Sequence, residues 1–98
     1  MKKATREWVK KADKDFIVAR EAAASETPLH DAVCFHCQQC AEKYLKALLV
    51  EHSLSVPKTH DLDLLLAAVI SQHAELRSLR RGCLFLSVFA VEDALPRS

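Results

Sequence analysis

Turn-forming residues are scarce in this chain: proline stands only at positions 28, 57 and 96, and the one glycine is Gly82. A backbone with so few turn formers cannot make the many tight reversals of a β-sandwich; it suits long helices joined by short loops. Proline also pushes the residue before it out of helical geometry, so Pro28, Pro57 and Pro96 mark places where helices stop. Alanine and leucine are abundant, and both are strong helix formers. The expected fold is all-α, an up-and-down bundle of four main helices in a single domain spanning residues 1–98.

Apolar spacing places the helices. The first is expected from about Ala4 to Ala24, with Trp8, Val9, Ala12, Phe16, Ala19 and Ala23 as one stripe. The second is expected from about Leu29 to His52. Val33, Cys37, Cys40, Tyr44, Ala47 and Leu48 form its line, widened by Cys34, Ala41, Leu45 and Leu49. A third runs from about Asp61 to Gln72, with Leu62, Leu65, Leu66, Val69 and Ile70 inward. A fourth runs from about Leu76 to Asp93, and its tail, Cys83 to Val91, is apolar on nearly every side. Such a helix is either central or buries its outer face against another chain, so dimerisation is expected.

Several function classes fall away. The formal net charge is +1, so bulk charge does not advertise nucleic-acid binding, and any such site must be a local patch. The opening residues carry charge with no apolar run behind them, so no signal peptide is expected. No stretch reaches the roughly 18 apolar residues of a membrane span. A cytoplasmic location is therefore expected, with the four cysteines as reduced thiols.

Cys34, Cys37 and Cys40 form C-x-x-C-x-x-C. Three ligands stepped by three along a helix span about 9 Å of rise, too far for one tetrahedral ion to gather. These cysteines, with Cys83, read as small buried hydrophobes; no metal and no cofactor are expected.

The polar residues of the second helix are more informative. His36, Gln39, Lys43 and Lys46 step by three, four and three, so they line one side of a helix and can project together. An imidazole, an amide and two ammonium groups suit a phosphate or a nucleotide base. The alternative is a solvated helix edge on which Glu42 pairs with Lys46. Asp15, at the edge of the first helix's inner face, is expected to seek Lys43 or His36, as an interhelix ion pair in preference to orienting a site lysine or holding a metal. Thr59 and His60 either cap the third helix or form a loop over the second-helix site. Arg77, Arg80 and Arg81, near His73, make a short basic cluster that reads as a solvated helix end, a partner contact or an RNA-backbone contact.

Three segments together resemble a known family. Trp8 to Phe16 resembles the opening W…A…D pattern of HEPN domains, the higher eukaryote and prokaryote nucleotide-binding family. Phe35 to Leu49 resembles that family's F-H-x-Q-Q-x-A-E-K-x-L-K-A-L-L helix, and Pro57-Lys58-Thr59-His60-Asp61-Leu62 resembles its P-x-T-H-D-L. The resemblance implies a helical bundle that is commonly a homodimer. It implies nucleotide binding, or partnership with a minimal nucleotidyltransferase in a toxin–antitoxin-like pair, or an RNA-cleaving toxin. Asp15, His36, Gln39, Lys43, Lys46, Thr59 and His60 are the candidate ligand-binding residues.

Two departures qualify the match. Ribonuclease members carry an arginine, four to six intervening residues, and then a histidine. No arginine here has that spacing, so no catalytic residue is assigned and a binding module is favoured over an enzyme. Members of the nucleotidyltransferase-associated type show R-Y-P near the end of the fourth helix and then a fifth helix. This sequence has Ala94-Leu95-Pro96 and ends at Ser98, as expected of a diverged or truncated member, or of one whose partner covers that face.

Overall fold

A computed structural model describes residues 1–27 and 29–89. These residues form α1 (Lys3–Ala23), α2 (His30–Glu51), α3 (Leu62–Ile70), a 3-10 turn (Ala74–Leu79) and α4 (Arg80–Ser87). The fold is all-α, and no strand occurs among the described residues. Pro28, the fourth helix's expected course to Asp93, its stop at Pro96 and the Ala94-Leu95-Pro96 departure lie outside the described residues.

α2 is the centre. Among the described residues α1 packs on α2 alone; α3 packs on α2; α4 packs on both α3 and α2. Among the described residues the fourth helix is not central. α4 lies at the periphery, and its Leu84, Phe85 and Val88 are exposed.

The α1–α2 seam is built from small residues. Ala12 and Ala19 on α1 are buried, as are Cys40 and Ala47 on α2. Small side chains let two helix backbones approach closely, leaving little room for a bulky group between them. This corrects the expected stripe: Phe16 is 51% exposed rather than inward. At about 100° per residue, Asp15 and Phe16 straddle the Ala12–Ala19 line. Asp15 turns to one side of α2 and Phe16 to the other. Ala23 is likewise exposed.

The main apolar core lies on the opposite flank of α2. Leu45 and Leu49 pack there with Leu62, Leu65, Leu66, Val69 and Cys83. Full burial of a leucine side chain contributes about 1.5–3 kcal/mol. Four of these leucines are no more than 1% exposed, so this cluster carries most of the packing.

Local chemistry explains the helix ends. Asp61 caps α3: its carboxylate accepts from the backbone N–H groups of Asp63 and Leu64 at 3.0 and 3.3 Å. Asp61 is thus the cap itself, and Thr59 and His60 are not. α2 ends in a Schellman motif, with Leu54 N–H bonded to Leu49 C=O at 2.8 Å and Ser53 N–H to Val50 C=O at 3.0 Å. Ser53 holds the left-handed position at φ 58°. α3 stops at Ile70, two residues before the expected end, and the chain tightens into a 3-10 turn before α4 begins.

Candidate functional site

α2 presents its side chains in sectors. His36, Cys40, Lys43 and Ala47 turn toward α1, whereas Gln38, Glu42, Leu45 and Leu49 turn toward α3 and the loop before it. Gln39 and Lys46 lie between these two sectors, so the polar side of α2 is flanked by α1 and by the loop that carries His60.

Two carboxylates organise this side, each in the same way. Asp15 reaches across from α1: Oδ1 lies 3.0 Å from His36 Nδ1, and Oδ2 accepts from Lys43 Nζ. Glu42, on α2 itself, lies 2.9 Å through Oε1 from His60 Nδ1, and Oε2 accepts from Lys46 Nζ at 2.8 Å. Each carboxylate therefore holds one imidazole and one ammonium. An ionised carboxylate only accepts, so Nδ1 is the donor in both pairs. In a neutral ring this leaves the Nε2 lone pair facing away. Neither Nε2 has a partner among the described residues.

The Glu42 group is the more buried. Glu42 is 4% exposed and Gln38 is fully buried. Gln38 Nε2 donates to Glu42 Oε1 at 3.2 Å and to the backbone carbonyl of His60 at 3.1 Å. Its Oε1 accepts from Gln39 Nε2 at 2.7 Å. Gln38 thus ties α2 to the loop before α3 and holds Gln39 beside it. Burial pushes the Glu42 carboxyl up, but hydrogen bonds from Lys46, His60 and Gln38 outweigh it and leave the group below the ordinary glutamate range.

Trp8, the one tryptophan of the chain, lies against this network. Lys46 Nζ is 5.6 Å and Lys11 Nζ 5.4 Å from its ring, within cation–π range.

The structure gathers six of the seven candidates into two adjoining groups: Asp15, His36 and Lys43 in one, and Lys46 and His60 in the other, with Gln39 joined through Gln38. Thr59 stands apart, its Oγ1 accepting from Asp61 N–H at 3.0 Å. Sequence reasoning missed Gln38 and the burial of Glu42. The signal was present in Gln38-x-x-x-Glu42-x-x-x-Lys46, three polar groups at i, i+4 and i+8 on one helix face.

Cys37, Cys40 and Cys83 serve a different surface. Phe16, Cys37, Cys40, Tyr44, Leu48 and Cys83 help line an apolar groove of about 400 Å³ between α1 and α4. Burial raises the Cys40 thiol to about 11 and pushes Cys37 and Cys83 upward as well. Among the described residues no group of three or more His, Cys, Asp or Glu side chains converges to hold a metal ion. No helix among them is long and apolar enough to cross a membrane.

A central helix flanked by α1 and α3, with a polar rim on one side, defines a small helical module. The HEPN domain family model matches residues 5–96, and the chain belongs to the HEPN domain family. No curated protein and no solved structure matches it.

Proposed function

We propose that this HEPN domain is a binding and assembly module whose α2 rim takes a nucleotide. One observation carries the reading: two largely buried carboxylates hold two imidazoles in a fixed orientation, with neither Nε2 atom partnered among the described residues. Fixed polar groups at the edge of an apolar framework are the usual means of orienting a small ligand. His36, Gln39 and His60 supply contacts to base or ribose. Lys43 and Lys46 each spend one of three ammonium donors on a carboxylate, so their remaining donors suit a phosphate.

Titration with ATP and GTP tests this, followed by Trp8 fluorescence and by backbone resonances of residues 35–49. The expected result is a saturable change centred on the rim, weakened at least tenfold by His60→Ala or Gln39→Ala. No change at millimolar nucleotide rejects the nucleotide reading.

The assembly half rests on apolar exposure. Phe85 and Val88 are 62% and 66% exposed, and the apolar groove lies open between α1 and α4. These surfaces support association with a second copy or with a minimal nucleotidyltransferase in a toxin–antitoxin-like pair. A strictly monomeric particle by light scattering, unchanged by addition of such a partner, refutes it.

A second reading has one specific support. Asp15–His36 and Glu42–His60 are carboxylate–imidazole pairs of the kind that orient a general acid or base. Under that reading the chain cleaves RNA at a nonstandard site, with Lys43 stabilising the phosphorane. RNA cleavage abolished by His36→Ala selects this reading; absence of cleavage by the wild-type chain rejects it.

A further inference from the structure

A third pair of imidazoles meets away from the rim. His52 is the C-cap of α2 and His73 the N-cap of the 3-10 turn. Their Nε2 atoms approach to 2.8 Å, and their ring centroids lie 4.9 Å apart. Two ring nitrogens can share a hydrogen bond only when one carries the proton and the other a lone pair.

Glu75 decides which is which. Its Oε2 lies 3.2 Å from His73 Nδ1, so His73 donates through Nδ1 and presents a lone pair at Nε2. His52 then donates through Nε2. If His52 instead carries its proton on Nδ1, both Nε2 atoms present a lone pair to the gap between the rings. No proton is gained or lost in that exchange of tautomers.

We propose that His52 and His73 form a two-imidazole site for a divalent transition-metal ion of the zinc and copper class, oriented by Glu75. A metal ion bonds imidazole nitrogen at about 2.0–2.1 Å, which at a tetrahedral angle separates the two nitrogens by roughly 3.3 Å. The observed separation needs to widen by only about half an ångström, within the reach of two side chains at the surface. A carboxylate on the far nitrogen of a ligating histidine is the usual support for such a ligand, because it fixes the tautomer and the ring. Imidazole donors select copper, nickel and zinc over magnesium and calcium, which prefer oxygen. With no third His, Cys, Asp or Glu converging among the described residues, water or another molecule fills the other coordination positions. The bound ion links the end of α2 to the connection between α3 and α4.

The test uses the full chain without a histidine tag. Zn²⁺ binding is measured by calorimetry and Cu²⁺ binding by visible absorption. One ion per chain is expected, with affinity reduced at least tenfold by His52→Ala and by His73→Ala, and severalfold by Glu75→Gln. His36→Ala and His60→Ala leave it unchanged, so the outcome is separable from the nucleotide reading. Mg²⁺ is expected not to bind. In the wild-type chain, substoichiometric Cu²⁺ should broaden the imidazole resonances of His52 and His73 ahead of those of His30, His36 and His60, which tests the site even where a variant misfolds. Equal broadening of all five rings, or Zn²⁺ affinity unchanged in the His52→Ala/His73→Ala double variant, overturns the proposal.

Discussion

Glu42→Ala removes one acceptor from three donors at once. Gln38 keeps its bond to the His60 carbonyl, but Lys46, 8% exposed, is left as a nearly buried cation without its carboxylate. Breaking a buried ion pair by removing one partner costs about 3–5 kcal/mol. The His60 side chain is 48% exposed, so water recovers part of that loss, and about 3 kcal/mol is the expected cost. In a domain of this size this lowers the melting temperature by roughly 12–24 °C, a large share of a total stability of about 5–15 kcal/mol. Glu42→Gln keeps the volume and imitates the protonated acid, and should cost about 2 kcal/mol at neutral pH.

The pH dependence has a definite sign. The folded-state pKa of Glu42 is lowered, so its contribution is complete above the unfolded value, about 4.3, and is lost as pH falls through the folded value. Thermal melts of wild-type and Glu42→Gln protein should therefore differ at pH 7 and converge only as the pH falls through the lowered folded-state value. A Glu42→Ala chain that melts within about 4 °C of wild type, which is less than about 1 kcal/mol, refutes the buried network.

Other consequences are local. Ser53 holds φ 58°, a conformation glycine adopts without strain, so Ser53→Gly should raise stability by about 0.5 kcal/mol in a urea melt. Tyr44 is the chain's one tyrosine; its hydrogen bond to Asp13, helped by burial and the Asp13 charge, raises it to about 12. An absorbance titration should place phenolate formation near that value, and Asp13→Asn should return it toward about 10. The Cys40 thiol, raised to about 11, should react with iodoacetamide at pH 8 far more slowly in the native chain than in urea, because the thiolate is the nucleophile; mass spectrometry of the modified peptide measures the ratio.

Much of α2 was legible from the sequence because its information is local. Helical spacing alone places His36 and Lys43 on one side of α2, the apolar stripe of α1 brings Asp15 to that side, and the Glu42–Lys46 pair follows from i, i+4 geometry. The depth of that pair was not legible. Periodicity cannot tell an exposed rim from one covered by a loop, and the cover comes from His60, whose backbone carbonyl is held by Gln38, 22 residues away in sequence. Phe16 was misplaced for a similar reason: Ala12 and Ala19 set a close seam, and a stripe drawn by hydropathy gives Phe16 more claim to it than alanine. The early stop of α3 at Ile70 is not recorded in local propensity, nor is the 3-10 turn after it, which packs on α3 and α4. His52 and His73 meet only because α2 and the α3–α4 connection end at the same corner.

The central claim is that two carboxylates aim two imidazoles outward along the α2 rim for a ligand. Long-range ¹H–¹⁵N spectra of the five histidines, recorded with and without millimolar ATP, test it directly. The account predicts that the neutral rings of His36 and His60 carry their proton on Nδ1, and that the Nε2 signals of these two alone move when ATP is added. Protons found on Nε2 of both rings, or rim signals indifferent to ATP, would contradict it.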